Sequence, residues 1–164
     1  MFRVTVVFAL MLATGIAWGQ EDGQVYRIKN RLTDKVLAPD ASGKLLVQQT
    51  GDPKAAAQQW RLVKSAEGNF FKIVNVESGR ALAVPSKQPV AQIELHATTD
   101  DKPHVRQWWS IAKLEKRFTI ESQFSGYYLD VFNWETEDGV KIVQQELNKK
   151  GDRGNQVWEL HPVK

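Results

Sequence analysis

Three triplets of the form Gln-x-Trp decide how this chain folds: Gln58-Gln59-Trp60, Gln107-Trp108-Trp109 and Gln156-Val157-Trp158. Consecutive triplets lie 49 residues apart, and the chain contains no other triplet of this form. An aliphatic residue follows each Trp at the second position, as Leu62, Ile111 and Leu160. Because self-similarity at a fixed period indicates repeated structural units, the sequence predicts a threefold repeat.

A second shared pattern lies upstream of each triplet, where an aromatic residue, a polar residue and Ile follow one another. It occurs at Tyr26-Arg27-Ile28, Phe71-Lys72-Ile73 and Phe118-Thr119-Ile120. Nine residues after each Ile stands a leucine, and these are Leu37, Leu82 and Leu129. Alternation with a period of two is typical of β-strands. We therefore predict three β-repeats that span about residues 24–69, 70–116 and 117–164.

Turn signals break the repeats into short hairpins, and they stand at Ser42-Gly43, Ser78-Gly79, Ser125-Gly126 and Asp138-Gly139. After residue 20 no stretch keeps a helical period for more than about two turns. Three repeats are too few for a propeller, which has about four to eight blades, and a solenoid would leave sheet edges exposed. We expect an all-β barrel with threefold pseudo-symmetry and hairpins over one end.

The triplets themselves are predicted to be structural. Trp60, Trp109 and Trp158 are expected to fill equivalent core positions, because an indole ring buries a large apolar area and its N–H needs one partner. The glutamine two positions earlier, as at Gln58 and Gln107, has an amide that both donates and accepts. We expect it to satisfy backbone groups where the chain turns between units.

The composition is that of an ordinary globular domain. The chain has 164 residues, of which 42% are apolar and 25% are charged, and it contains no cysteine, so no disulfide stabilises it. Lys and Arg number 22 against 19 Asp and Glu, a formal charge of +3. The basic residues are scattered along the chain, whereas nucleic-acid binding requires a concentrated patch, so we expect no nucleic-acid partner.

Residues 1–19 have the features of a secretory signal peptide. A cationic start precedes an apolar run, and small residues end at Gly19. The alternative, a membrane anchor, is less favoured because the uncharged run of about 15 residues is shorter than the roughly 20 that span a bilayer. Cleavage would leave residues 20–164 as one domain without a membrane span, in a secreted or periplasmic protein.

Taken together, the Gln-x-Trp triplets, the preceding leucines and the short strands resemble the ricin B-type lectins over residues 24–164. The resemblance implies a β-trefoil fold and non-covalent binding of a glycan or polysaccharide. It also implies where sugar binds, namely between the shared leucine and the triplet of a repeat. In that family an Asp directly after the leucine holds sugar hydroxyls, an aromatic ring stacks on the sugar, and an Asn before the triplet adds hydrogen bonds.

Only the third repeat keeps the polar residues of this pattern. At these two positions the first repeat has Ala38 and Ala57, and the second has Ala83 and Arg106. The third repeat has Asp130 and Asn155. A carboxylate accepts two hydroxyl hydrogen bonds at once, and charge-assisted bonds are stronger than neutral ones. We predict one site, in the third repeat. The alternative for Asp130 is a carboxylate that accepts backbone N–H groups in a turn.

The aromatic residue of the pattern is missing, because its position holds Gln145. Trp134 stands in the polar run 133–138, where a large apolar ring is not expected in the core. We predict that Trp134 replaces the stacking ring, with partial burial against the hairpin as the alternative. Gln144, Gln145 and Gln156 complete the sugar contacts that the resemblance implies.

Other functions have weaker support in the sequence. With three His, no Cys and no Gly-x-Ser-x-Gly motif, the chain has no visible apparatus for nucleophilic catalysis, so we expect no enzyme. Neither acidic run, 100–104 or 135–138, has convergent metal ligands, and no metal or cofactor is expected. The main alternative is a β-trefoil that binds a protein partner, as a protease inhibitor or adhesion module, and keeps its triplets only for packing. A catalytic role as a glycosidase is a less favoured alternative.

Overall fold

The computed structural model describes residues 22–66, 68–98, 105–149 and 153–164. Within these residues the chain forms twelve β-strands and four short 3₁₀ turns, and no helix there is long and apolar enough to cross a bilayer. The predicted signal peptide, residues 1–19, and the acidic run 100–104 lie outside the described residues.

Each third of the chain contributes four strands. They are β1 (Val25–Asn30), β2 (Val36–Pro39), β3 (Leu46–Gln49), β4 (Trp60–Lys64), β5 (Phe70–Asn75), β6 (Arg80–Ala83), β7 (Glu94–Ala97), β8 (Trp109–Leu114), β9 (Arg117–Ser122), β10 (Tyr128–Val131), β11 (Ile142–Gln145) and β12 (Trp158–Pro162).

The first and fourth strands of the three repeats form a closed barrel. Antiparallel pairs run in the ring β1-β4-β5-β8-β9-β12 and return from β12 to β1. The closing pair joins the two ends of the domain, from Tyr26 opposite Pro162 to Asn30 opposite Trp158. Closure matters because a barrel has no edge strand that could pair with another chain.

The second and third strands of each repeat form a hairpin, and the three hairpins meet over one end of the barrel. The Leu46 N–H donates to the Ile93 carbonyl at 2.9 Å, and the Ile93 N–H donates to the Ile142 carbonyl at 2.9 Å. These three residues begin or precede the third strands of the three repeats, and all are fully buried. The prediction of an all-β trefoil with threefold pseudo-symmetry is confirmed.

The three predicted core tryptophans occupy equivalent places and are fully buried. Each indole N–H donates to the carbonyl of the leucine shared by the repeats. The distances are 3.0 Å from Trp60 to Leu37, 3.2 Å from Trp109 to Leu82 and 3.2 Å from Trp158 to Leu129. The bond ties the barrel strand of each repeat to its own hairpin and satisfies the one polar group of the ring.

The triplet glutamines bind backbone groups, but within their own repeat rather than between units. Gln58 donates to the Thr50 carbonyl at 3.0 Å and accepts the Asp52 N–H at 2.6 Å. Gln107 donates to the Ala97 carbonyl at 2.8 Å. Gln58 thus binds the loop after the third strand of its repeat, and Gln107 binds the last residue of that strand in its own. The predicted location, at the turns between units, is therefore corrected to the loop inside each unit.

Junctions between units are held instead by Asn30 and Asn75, which the sequence analysis did not single out. Both are fully buried at the ends of barrel strands. The Asn30 Nδ2 donates to the Asn155 carbonyl at 3.1 Å, and the Asn75 Nδ2 donates to the Ala57 carbonyl at 2.8 Å, in each case in another repeat. Both residues stand two positions after the shared Ile, which is the signal that would have identified them.

One hairpin position departs from the threefold pattern. The residue three places before the buried Leu46, Ile93 or Ile142 is Gly43, Val90 or Gly139. All three have left-handed backbone angles, with φ of 68°, 63° and 83°. Glycine adopts this conformation without a side-chain clash, whereas a β-branched residue does so only with strain. At this position the second repeat therefore carries a strain that the other two repeats avoid.

Candidate functional site

Three of the predicted sugar-binding residues, Asp130, Gln144 and Gln145, lie on the two strands of the third hairpin. Side chains alternate between the two faces of a strand, so Leu129 points towards the core while Tyr128 and Asp130 share the opposite face. Leu129 is fully buried and accepts the Trp158 indole N–H through its carbonyl. The packing of Leu129 thus sets the direction of Asp130.

Asp130 lies together with Asn155 and Gln156. Its two carboxylate oxygens accept the Asn155 Nδ2 at 2.9 Å and the Gln156 Nε2 at 2.7 Å. The two amides come from the 3₁₀ turn Gly154–Gln156, which directly precedes β12. The donors are side-chain amides rather than backbone N–H groups of a turn, so the bonding differs from the alternative considered for Asp130.

The charge on Asp130 is unfavourable for the fold. Only 5% of the residue is exposed. Burial raises the pKa of the carboxyl to about 6, although the hydrogen bonds from Gln156 and Asn155 act in the opposite direction. No cation contributes to this shift. A buried carboxylate without a cation reduces stability, and groups perturbed in this way are concentrated at functional sites.

Asn155 adds a second acceptor beside the carboxylate. Its Oδ1 is buried and accepts no hydrogen bond from the part of the chain that the structure describes. Leaving a buried carbonyl without a donor costs about 1–3 kcal/mol. Gln156 differs, because its amide also donates to the Glu146 carbonyl at 2.8 Å and accepts the Asn148 N–H at 2.9 Å. Asn155 therefore retains hydrogen-bonding capacity, while Gln156 positions Asp130.

A cleft of about 860 Å³ opens beside this group. It is lined by Gly126, Tyr127, Tyr128, Gln145, Glu146, Leu147, Asn148 and Lys149. Gln145, one of the predicted sugar contacts, lies directly opposite Tyr128 in the pairing of β10 with β11. Gln156 connects the cleft to Asp130, because it bonds both the carboxylate and the backbone of Glu146.

Gln144 does not join this group. It is fully buried, accepts the Ser125 hydroxyl at 2.7 Å, and donates to the carbonyls of Ser86 and Gln88 at 2.8 and 2.6 Å. Gln48 has the corresponding role in the first repeat, where its amide holds the turn of the third hairpin. Because these bonds anchor a neighbouring hairpin, we no longer count Gln144 among the sugar contacts.

Trp134 lies on the turn that follows β10 and is 41% exposed. Its backbone φ is 60°, and the preceding Asn133 has a φ of 51°. Two consecutive non-glycine residues in the left-handed region are uncommon, and such strain is concentrated at functional sites. Trp134 is not among the residues that line the cleft beside Gln145.

The corresponding positions of the other two repeats have no polar group. Ala38 and Ala83 follow the shared leucines and are buried. Among the described residues, the constellation of a buried carboxylate with two side-chain amides therefore occurs in the third repeat and not at these positions of the other two.

Solved structures with the same fold include lectins and parts of larger proteins. A designed threefold-symmetric protein, ThreeFoil, is 25% identical with a TM-score of 0.75, over 84% of this chain and 97% of that one. An exo-β-1,3-galactanase from Clostridium thermocellum is 33% identical with a TM-score of 0.74, over 87% of this chain and 31% of the galactanase.

A ricin B-like lectin from Macrolepiota procera has the same fold, with 18% identity and a TM-score of 0.72, over 86% of this chain and 96% of that one. No curated protein matches the chain in sequence. The family model described as "Ricin-type beta-trefoil lectin domain-like" matches residues 13–96 and 56–145, which together cover most of the chain. With its three Gln-x-Trp repeats and closed barrel, the chain belongs to the ricin-type β-trefoil lectin domain-like family.

Proposed function

We propose that this protein binds carbohydrate non-covalently through a single site in its third repeat, with Asp130 and Asn155 as the principal polar contacts. The observation that carries the proposal is the buried Asp130 carboxylate, which has amide donors but no cation beside it among the described residues. The fold does not require a carboxylate at this position, since the other two repeats have buried alanines there. A role in ligand binding accounts for its presence.

The chemistry of the group suits sugar hydroxyls. A carboxylate offers about four acceptor positions, and Asp130 uses one on each oxygen for Asn155 and Gln156. The Oδ1 of Asn155 adds another acceptor that the described residues leave unused. Several acceptors close together match neighbouring hydroxyl groups, and bonds to an ionised oxygen are about twice as strong as neutral ones.

Comparison with solved lectins supports the class of ligand. The Macrolepiota procera ricin B-like lectin was solved in complex with lactose. At 18% identity that likeness carries the fold only, so the ligand of the present protein is proposed as a glycan or polysaccharide without naming the sugar. An open site of this kind binds weakly on its own, and multivalent ligands would raise the avidity.

Trp134 is proposed as an exposed ring beside the site, and Gln145 as a polar contact in the cleft. The strained turn directly after Asp130 supports a role for Trp134. We further propose that the protein is not itself an enzyme and acts after export, as a secreted or periplasmic protein. The cationic start and apolar run of residues 1–19 support export.

The test is binding to a glycan array by the wild type and by Asp130→Ala. We expect the substitution to abolish retention while the fold is kept, because alanine already occupies the corresponding place in two repeats. Glu77→Ala is the matched control, since Glu77 is an exposed carboxylate of the second repeat. If Asp130→Ala binds the same glycans as wild type, the site is elsewhere.

The second candidate function is binding of a protein partner through the loops, as in a protease inhibitor or adhesion module. It is favoured by the alanines at 38 and 83 and by Gln145, which stands where the ricin B-type pattern has an aromatic ring. Capture of a protein by the wild type, together with no bound glycan on the array, would select this function.

A further inference from the structure

We propose that Tyr128 provides the aromatic wall of the sugar site, on which the apolar face of a hexose packs while its hydroxyls reach Asp130. The inference rests on the proposed function and assigns one more contact to the same site. It follows from the position of Tyr128 in the sheet, from the cleft that it lines and from the way in which its ring is held.

Tyr128 lies on β10, which pairs with β9 on one side and with β11 on the other. In the strand pairing it stands opposite Glu121 of β9 on one side and opposite Gln145 of β11 on the other. Residues directly opposite each other in antiparallel strands have their Cβ atoms about 4.5–5.5 Å apart. The tyrosine ring is therefore flanked by two polar side chains on the outer face of the hairpin.

The spacing between the ring and the carboxylate fits one sugar. Tyr128 and Asp130 are two residues apart on the same strand face, which separates them by about 6.6–6.8 Å along the strand. This distance is comparable with the width of a pyranose ring. A hexose that packs against Tyr128 thus presents hydroxyls at its edge to the carboxylate and to the Asn155 Oδ1, which has no donor among the described residues.

The tyrosine is both accessible and fixed. It is half-buried and forms part of the lining of the 860 Å³ cleft, together with Gln145. Its hydroxyl donates to the Glu121 Oε2 at 3.0 Å, and burial together with Glu121 raises the pKa of the phenol. The bond holds the ring in one orientation, so little side-chain entropy is lost when a ligand packs against it.

Trp134 is placed less favourably for this role. It lies beyond the other end of Asp130, on the turn after β10, and does not line the cleft. Tyr128 and Gln145 line the same cleft, and Gln156, which donates to Asp130, also donates to the backbone of Glu146 in that lining. The geometry therefore favours Tyr128 as the principal ring and leaves Trp134 as an outlying one.

The experiment compares the wild type with Tyr128→Leu, Tyr128→Phe and Trp134→Ala on an array of neutral oligosaccharides that includes lactose. We expect Tyr128→Leu to weaken binding at least tenfold. Tyr128→Phe keeps the ring and should stay within about threefold of wild type, and Trp134→Ala, which removes the outlying ring, should weaken binding less than Tyr128→Leu does. Circular dichroism and thermal melting of Tyr128→Leu check that the fold is retained.

A direct readout separates packing against the ligand from a structural role. A sugar stacked on an aromatic face shows upfield shifts of its C–H protons in NMR spectra, and Tyr128→Phe should keep these shifts. Equal binding by Tyr128→Leu and wild type would overturn the proposal, as would loss of binding in Trp134→Ala alone. Wild type that binds no glycan at all would overturn the proposed function, and this inference with it.

Discussion

The first and third repeats hold their tryptophans with the same bond, from Trp60 to the Leu37 carbonyl at 3.0 Å and from Trp158 to the Leu129 carbonyl at 3.2 Å. Immediately after each leucine the two repeats differ. The first repeat continues with a buried alanine, and the third with the buried Asp130. One scaffold therefore supports either an apolar or a charged residue at the same place.

This difference shows which residues the fold requires. Because Ala38 occupies the position without a polar partner, packing does not call for a carboxylate there. Asp130 is less favourable for the fold, since burial opposes its charge. A residue that lowers stability without a structural task is typical of a functional site. The three tryptophans belong to the scaffold, and Asp130 is the residue on which the proposed site rests.

The hairpins of the two repeats also differ in length. The turn between β2 and β3 has six residues, 40–45, and the turn between β10 and β11 has ten, 132–141. The longer turn contains Trp134 and the left-handed pair that it forms with Asn133. Long loops on a rigid scaffold are where binding residues are usually found, because they vary without disturbing the core.

The largest expected effect concerns the buried tryptophans, which the first and third repeats share. Trp60→Ala and Trp158→Ala should each lower the free energy of unfolding by about 3–5 kcal/mol, because each removes a fully buried indole and leaves a cavity. Denaturant unfolding of the two variants measures the loss. Equal losses are expected from equivalent positions, and a difference of several kcal/mol would contradict the equivalence of the two repeats.

A smaller effect concerns Asp130, which stands where the first repeat has Ala38. The pKa of Asp130 is about 6 in the folded protein against 3.8 for an unperturbed carboxyl, so the folded state holds the proton more tightly. The carboxyl then contributes stability below about pH 4, and this contribution is lost as pH rises through about 6. The change is about 2–3 kcal/mol over this window.

Asp130→Ala, which copies the residue of the first repeat, should lack this part of the pH dependence. Urea unfolding of both proteins at several pH values between 4 and 7 provides the measurement. Sugar affinity should have the opposite dependence and fall as pH drops through about 6, because a protonated carboxyl loses its charge-assisted bonds. Parallel stability curves for the two proteins would contradict the assigned burial of Asp130.

The smallest expected effect uses the strained position of the second hairpin. Val90→Gly should raise the free energy of unfolding by about 0.5–1 kcal/mol, because the relief of left-handed strain exceeds the added flexibility of the unfolded chain. The reciprocal Gly139→Val should lower it by a similar or larger amount. A Cβ at Gly139 would meet no atom within 4 Å, so the loss would come from the backbone alone. Thermal melts of both variants test this exchange.

Much of the fold could be predicted from the sequence because each repeat consists of short, local sequence patterns. The spacing of 49 residues, the aromatic-polar-Ile strands and the triplets indicated three β-units, and the tryptophans are buried as predicted. Asn30 and Asn75 were missed because their partners lie in other repeats, 125 and 18 residues away in the sequence. The triplet glutamines were assigned to the wrong turns for another reason, because the spacing of the triplets does not show which nearby backbone groups of the same repeat they meet.

The candidate site was less predictable than the fold. Asp130 and Asn155 were singled out by comparing the repeats position by position, and they do lie in contact. Gln144 was included with its neighbour Gln145, but adjacent residues of a strand point to opposite faces, and Gln144 is the buried one. Tyr128 was passed over, because only the pairing of β10 with β11 brings it opposite Gln145.

The sequence by itself determined the number of units, their β character and the one repeat that has a carboxylate beside its shared leucine. These follow from periodicity and residue type, which are local properties of the chain. Only the tertiary structure decided that Asp130 is buried between two amides, that the described residues leave the Asn155 Oδ1 without a donor, and that Tyr128 lines one cleft with Gln145. Burial and hydrogen-bond partners depend on contacts between distant segments, which form only when the barrel closes.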